Sequence, residues 1–247
     1  MSRILMIVAN PTTSPTVGWP IGFWLSELAH PYWEFTKVGH EITVASLNGG
    51  QVVPDGFSDP ENAKISTPGD FVSVGFAHCA VTSAILADTV RLSDLDPLGY
   101  DAIFVVGGLS PMITFIDSEP LHDVFASFYD TGRVAAAICH GTCILLRARR
   151  SDGRLIVDGK RWTGFANSEE DAVDAGAGRP VQPFRIEDEA AKLPNTTFVV
   201  GPPYRPHAIA DGNLITGQQG SSGTATAVLV NAALDHANNI NQTKDES

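Results

Sequence analysis

At 247 residues, 43% of them apolar and 18% charged, the chain has the composition of an ordinary globular protein and is neither disordered nor fibrous. Its 28 acidic residues against 16 basic ones leave a formal charge of −12, a field that repels nucleic-acid phosphates and anionic membrane surfaces, so neither is an expected partner. The apolar start runs only from Ile4 to Ala9 before Asn10-Pro11, too short for a signal-peptide core or a membrane span, and a cytoplasmic protein is expected.

Ile4 to Ala9 is the first of four short apolar runs rich in β-branched residues; the others are Glu41 to Ser46, Ala102 to Val106 and Val134 to Cys139. All four predict buried parallel strands. Between the first two, Phe23, Leu28, Tyr32 and Phe35 recur at helical spacing and Gly39 offers a C-cap, which predicts a helix over Phe23 to Val38 and hence a βαβ unit. The stretch from Gly50 to Phe76 reads as an insertion that caps a pocket or forms a dimer surface, with Asp55, Gly56 and Pro60 making it a loop. Pro120 to Tyr129 predicts a second helix, closed by Thr131-Gly132, and Gly141 to about Arg150 a third. Arg154 to Lys160 predicts a hairpin around Asp158-Gly159 with a following strand into Thr163. Glu169 to Lys192 reads as helix plus loop, Phe198 to Val200 and Asn213 to Thr216 as late strands, and Thr224 to Leu234 as an amphipathic closing helix. The alternation predicts an α/β fold: a mainly parallel sheet with helices on both faces and sites at the carboxyl ends of its strands. One domain is expected over residues 1–237, and the polar tail from Asn238 to Ser247 is expected to fray.

The chemistry concentrates in VAAAICHGTCILL, Val134 to Leu146, where an apolar strand runs into Cys-His-Gly and then into a predicted helix. Such a strand-to-helix reversal strains its central residue and projects that side chain above the sheet, with Gly141 relieving the crowding behind it. A thiol there faces unpaired N–H groups at a helix N-terminus, so Cys139 is expected as a favoured thiolate and the most reactive thiol of the chain. An isolated free cysteine is more often buried and inert. Here the Cys-His-Gly context decides for the nucleophile. Cys143, one turn on, is expected in the core, and Cys79 beside His78 is given no role. Three cysteines make neither an even disulfide framework nor a metal cluster of usual spacing, so reduced thiols are expected.

Five segments occur in one order over nearly the whole chain: GFWLSELAHPYWEFTKVGHEITVASLNGG (Gly22 to Gly50), YDAIFVVGG (Tyr100 to Gly108), AAICHG (Ala136 to Gly141), WTGFANSEE (Trp162 to Glu170) and DGNLITGQ (Asp211 to Gln218). Together they resemble the ThiJ/PfpI superfamily, which shares its flavodoxin-like fold with class I glutamine amidotransferases. The resemblance is strongest to its glutathione-independent glyoxalase (glyoxalase III) and heat-shock chaperone branch. It implies Cys139 as nucleophile, His140 as the adjacent histidine, Glu27 as the glutamate whose carboxyl group meets the cysteine sulfur, and Glu170 as the acid that orients the histidine, with Glu169 one position away as the alternative. Gly108 and the backbone N–H of His140 would form the oxyanion site. Implied too are a homodimer, no cofactor, and a small carbonyl substrate, a 2-oxoaldehyde such as methylglyoxal converted to a 2-hydroxy acid. The alternatives are isonitrile hydration or amide hydrolysis by the same cysteine, and a redox-responsive stress chaperone.

The implied roles are chemically coherent: an alkoxide formed by thiolate addition needs fixed donors, and a proton shift between adjacent carbons needs a base that titrates near neutrality. The chain departs from the pattern at Leu109 and Ser110, where this branch usually carries His-Gly, and at Thr142, where proline is frequent. Leu109, counted among the substrate-binding residues, replaces a polar wall and predicts a larger or less polar substrate. His30 is expected to pack or to support the site, and His122, His207 and His236 to lie at the surface. No His-Glu-x-x-His spacing occurs, so no catalytic metal is expected, and Gly107-Gly108 lacks the rest of a dinucleotide fingerprint.

Overall fold

A computed structural model describes residues 1–62 and 69–245. In chain order, β1 (Arg3–Val8) is followed by the short pair β2 (Thr12–Thr13) and β3 (Pro20–Ile21), then α1 (Leu25–Lys37) and β4 (Glu41–Ser46). Helices α2 (Phe71–His78) and α3 (Ala80–Ala87) lead to β5 (Val90–Arg91), β6 (Ala102–Val105), α4 (Pro111–Thr114), α5 (Glu119–Asp130) and β7 (Val134–Ile138). A 3-10 segment, Cys139–Leu146, leaves β7 and is followed by β8 (Arg161–Trp162), α6 (Asn167–Ala177), α7 (Ile186–Ala190), β9 (Thr197–Phe198), β10 (Ala208–Asp211), β11 (Leu214–Gly217) and α8 (Gly223–Asp245).

Among the described residues seven strands form one sheet in the order β10-β11-β7-β6-β1-β4-β5, parallel throughout except for the edge strand β10. Register pairs Ile7 with Ala45 and Val105, and Val105 in turn with Ala137, so β1, β6 and β7 end along one rim. The chain winds outward one way from β1 through β4 to β5 and then restarts at β6, which makes the β1–β6 boundary the switch point where α/β sheets place their sites. Alternate side chains feed two cores. Leu5, Ile7, Ile103, Val105, Ala135 and Ala137 pack with Phe125 and Phe128 of α5 on one face. Ile4, Met6, Phe104, Ala136 and Ile138 pack with Leu28 and Phe35 of α1 and Val230 of α8 on the other. Burial on both faces is why these strands read as unbroken apolar runs.

The structure differs from the sequence reading at several elements. The segment after Cys139 is a 3-10 helix ending at Leu146 in place of an α-helix to Arg150; the Thr142 hydroxyl donates to the Cys139 carbonyl at 2.7 Å and tightens that first turn. The expected hairpin over Arg154 to Lys160 is absent. Gly159 N–H instead donates to Asn195 O and Asn195 Nδ2 to Asp158 Oδ1, so the Asp-Gly turn is closed by a distant segment and β8 pairs in parallel with β9. Helices α2 and α3 occupy the stretch around Cys79 that carries no periodic signal, and β10 was not foreseen. The closing helix runs past Leu234 and through the expected frayed tail to Asp245, the last two residues lying outside the described part. Of the expected insertion between Gly50 and Phe76, residues 63–68 also lie outside it. Among the described residues no helix is long and apolar enough to cross a membrane.

Candidate active site

β7 ends at Ile138 and the chain turns at once through Cys139, whose φ of +55° is a left-handed conformation that a non-glycine residue adopts at a cost of about 1–2 kcal/mol. The strain projects the side chain from the rim of the sheet, as the Cys-His-Gly reading anticipated. Two glycines make the approach of other groups feasible. A Cβ on Gly107 would lie 2.7 Å from Cys139 Cβ and would also collide with Glu27 Oε2. Gly108 has a φ of +113°, and a Cβ there would lie 2.5 Å from Trp24 N.

His140 is brought beside the sulfur, with Nδ1 3.5 Å from Cys139 Sγ, and its ring stacks on Phe165 at a centroid distance of 4.2 Å. On the far side of the ring, Nε2 lies 2.9 Å from Glu170 Oε1, and all three residues are buried. The adjacent Glu169 is engaged elsewhere: Oε1 accepts from Tyr204 N–H at 2.9 Å and Oε2 from Ala166 N–H at 3.3 Å, which fixes the loop before β10. Geometry therefore brings Glu170, and not its neighbour, to the imidazole.

Glu27 stands in the first turn of α1 and is buried against Cys139. Desolvation pushes its pKa up to about 8, with the Asp55 and Glu169 charges adding to the rise, while hydrogen bonds to Cys139 and the Gly107 N–H oppose it. Its Oε2 finds no hydrogen-bond partner among the described residues, as suits a carboxyl group held neutral in a dry site.

Cys139 itself departs from the expected favoured thiolate. It is only 3% exposed, and burial, followed by the Glu27 carboxyl, raises its thiol well above the ordinary range. The N–H groups of His140 and Gly108 both reach the sulfur and pull the other way without prevailing. These are the two donors that the resemblance implied for the oxyanion site. Sequence shows the donors of an elbow but not the depth at which it is buried.

The exposed thiol is Cys79, which caps the start of α3, where the N–H groups of Thr82 and Val81 and then the Thr82 hydroxyl lower its pKa. These surroundings predict the reverse of the expected order of reactivity. Limiting iodoacetamide at neutral pH should alkylate Cys79 first and Cys139 slowly, and should leave Cys143, fully buried beneath α4, untouched; peptide mass spectrometry reads the order. Alkylation of Cys139 ahead of Cys79 would mean that the site stands open in solution.

Leu109 follows Gly108, but its side chain packs with Val17, Ile21 and Val181, in a seam between the β2–β3 hairpin and the end of α6. Ser110 is buried, and its hydroxyl donates to Asn10 O at 2.7 Å. Two histidines are not at the surface as expected. His122 faces inward from α5 with Nε2 2.9 Å from Phe115 O, and His207 lies against Gly201, where a Cβ would meet its ring at 2.5 Å. His236 is exposed, and His30 pairs with Asp70 at 2.9 Å. An open cavity of about 360 Å³ between α6 and α7 borders Glu170 but not Cys139, so its size does not mark the site; the converging thiol, carboxyl and imidazole do. Sequence reasoning missed Asp55. Its Asp-Gly context explained it locally as a turn, yet it is buried and its two oxygens accept the N–H groups of Gly22 and Leu109, each at 2.8 Å.

A model of the DJ-1/PfpI family matches residues 21–230. The chain is 28% identical over 240 residues to Glyoxalase 3 of Candida albicans, with 94% of this chain and 98% of that protein covered. It is 31% identical over 228 residues to the probable glutathione-independent glyoxalase hsp3103 of Schizosaccharomyces pombe, covering 83% and 87%. Among solved structures, that of the Rapid Encystment Protein of Francisella tularensis is similar with a TM-score of 0.85 at 27% identity, covering 95% of this chain and 99% of that one. Glyoxalase III from Candida albicans gives 0.77 at 26%, covering 94% and 97%.

Proposed function

Because the chain belongs to the DJ-1/PfpI family, we propose that it is a glutathione-independent glyoxalase that converts a small 2-oxoaldehyde to a 2-hydroxy acid through Cys139. The observation that carries the reading is the convergence on one buried sulfur of a carboxyl group with a pKa near 8, an imidazole, and two backbone N–H donors.

In this reading Cys139 Sγ adds to the aldehyde carbon as its proton passes to His140 Nδ1, which Glu170 keeps oriented from the other ring nitrogen. The carbonyl oxygen takes the developing charge towards the Gly108 and His140 N–H groups and then receives the Glu27 proton. Glu27, now a carboxylate, removes the hydrogen of that carbon as a proton. The freed electron pair moves onto the neighbouring carbonyl, whose oxygen takes the proton held on His140 to give an enediol. Glu27 then returns its proton to that neighbouring carbon, and the hydroxyl of the first carbon gives its own proton back to Glu27, which leaves a thioester of the 2-hydroxy acid. One carbon is oxidised by two electrons and its neighbour reduced by two, so no external oxidant enters. Water then cleaves the thioester and restores the thiol. Cys139 takes the place that a thiol cosubstrate would otherwise fill, so no glutathione is needed. A cytoplasmic homodimer of one folding unit over residues 1–237 belongs to the same proposal, supported by the free thiols and by the prevalence of symmetric dimers among soluble proteins.

Turnover of methylglyoxal and phenylglyoxal by purified protein in D2O without glutathione tests the reading. A 2-hydroxy acid is the expected product, with deuterium at its second carbon in those turnovers in which the proton held on Glu27 exchanges with solvent before its return. A glutathione requirement, or turnover confined to amides or isonitriles, would overturn it.

A further inference from the structure

The chain after β4 returns to the site at Asp55, whose backbone is held on both sides. Its N–H donates to Phe23 O at 2.8 Å, and its carbonyl accepts from both the N–H and the hydroxyl of Ser58 at 2.8 Å. The side chain is 1% exposed, and its oxygens take one N–H each: Gly22 on Oδ1 and Leu109 on Oδ2. A buried carboxylate is costly, and two amide donors can be satisfied by neutral carbonyls.

What distinguishes these two amides is where they stand. Gly22 opens the segment that enters α1, whose first turn carries Glu27. Leu109 supplies the amide directly after Gly108, whose own N–H reaches Cys139 Sγ. Trp24 N–H donates to Gly107 O at 3.0 Å and Ser110 N–H to Gly22 O at 2.9 Å, so the two segments already run side by side and Asp55 closes the bracket between them. Gly108 has no Cβ to restrict it and sits at positive φ, so the direction of its amide must be set by its neighbours.

We propose that Asp55 is a positioning residue for this reaction, gripping the Gly22 and Leu109 amides and so fixing both the Gly108 N–H and the Glu27 carboxyl against Cys139; the inference rests on the thiol-addition reading above. Asp55 also acts through its charge. It faces Glu27 from α1 and His140 from the turn after β7, while Cys139 and Glu169 flank Glu27. Burial raises Asp55 to about 6, so it is ionised at neutrality and adds to the rise of Glu27.

Asp55→Asn places an amide NH2 against one of the two donors and removes the charge, whereas Asp55→Glu keeps the charge and both acceptor oxygens. The expected result for Asp55→Asn is a fall in kcat of on the order of 10-fold to 100-fold, KM changed by less than about threefold, and an alkaline limb of the kcat/KM profile displaced to lower pH as Glu27 loses its anionic neighbour. Asp55→Glu should recover part of both effects. A merely structural Asp55 would lower Tm and the yield of active enzyme without moving that limb. That outcome, or wild-type kcat in Asp55→Asn, overturns the proposal.

Amide hydrogen exchange on the wild-type protein needs no variant to fold. Protection at Gly22 and Leu109 should fall as the pH drops through about 6, while β1 and β6 amides stay protected. Unchanged protection defeats the grip whatever the turnover. Absence of wild-type turnover on every 2-oxoaldehyde defeats the glyoxalase reading whatever the amides do.

Discussion

Cys139→Ala is expected to lower 2-hydroxy acid formation by on the order of 10⁴-fold or more, because it removes the atom that bonds to substrate and leaves only groups that bind and polarise it. No other thiol can substitute. Cys143 is buried with its Sγ directed to Pro111 O at 3.5 Å, and Cys79 lies on the surface at the start of α3. The fold should survive. Alanine bears the same left-handed strain as cysteine at this turn, and loss of one buried sulfur costs about 1 kcal/mol, so Tm should move by only a few degrees. Product formation and thermal unfolding, measured together, separate loss of the nucleophile from loss of structure. Cys79→Ser serves as the opposing control and should keep its turnover. If Cys139→Ala loses less than tenfold, the covalent route is wrong.

Why some features were legible beforehand follows from what each depends on. β1, β6 and β7 could be read because strands covered on both faces must be apolar at nearly every position, whereas β4 could be read only from Ile42, Val44 and Ala45, which face the cores between polar neighbours. α1 and α5 could be read because each buries one face, whereas α2 and α3 are apolar almost all round and carry no period to detect. The Cys-His-Gly turn announced a strained nucleophile because its geometry is local. Glu27 was different: composition places a helix glutamate in solvent, and only the resemblance put it at the sulfur. Burial then overturned the expected thiolate, since desolvation depends on what packs over Cys139 and not on its neighbours in sequence. The Asp158-Gly159 hairpin failed for a related reason, its partner Asn195 being far away in the chain. Asp55 left no signal, because a turn aspartate and a buried bracket have the same local sequence.

Glu27→Gln should cut turnover by on the order of 10²-fold or more, and its signature should also appear in stability. Glutamine keeps the shape and a hydrogen-bond donor, so Cys139 alkylation, followed in a Cys79→Ser background, should persist. What glutamine lacks is an exchangeable proton for the move between the two substrate carbons. The stability effect follows from linkage. The Glu27 pKa is about 8 in the fold against an ordinary 4.5, so between those values the folded protein holds a proton that the unfolded chain has released. Stability therefore falls as pH rises through that window, and above it the buried carboxylate costs roughly 5 kcal/mol relative to an unperturbed one. The glutamine variant cannot ionise and is spared that loss. Its Tm should match the wild type near pH 4.5, exceed it increasingly up to about pH 8 and by a steady margin above that, while its turnover stays low throughout. A variant that turns over normally would pass the acid and base roles to His140; one that is slow yet shows no gain in Tm at alkaline pH would mean that Glu27 is not buried as a neutral acid against Cys139.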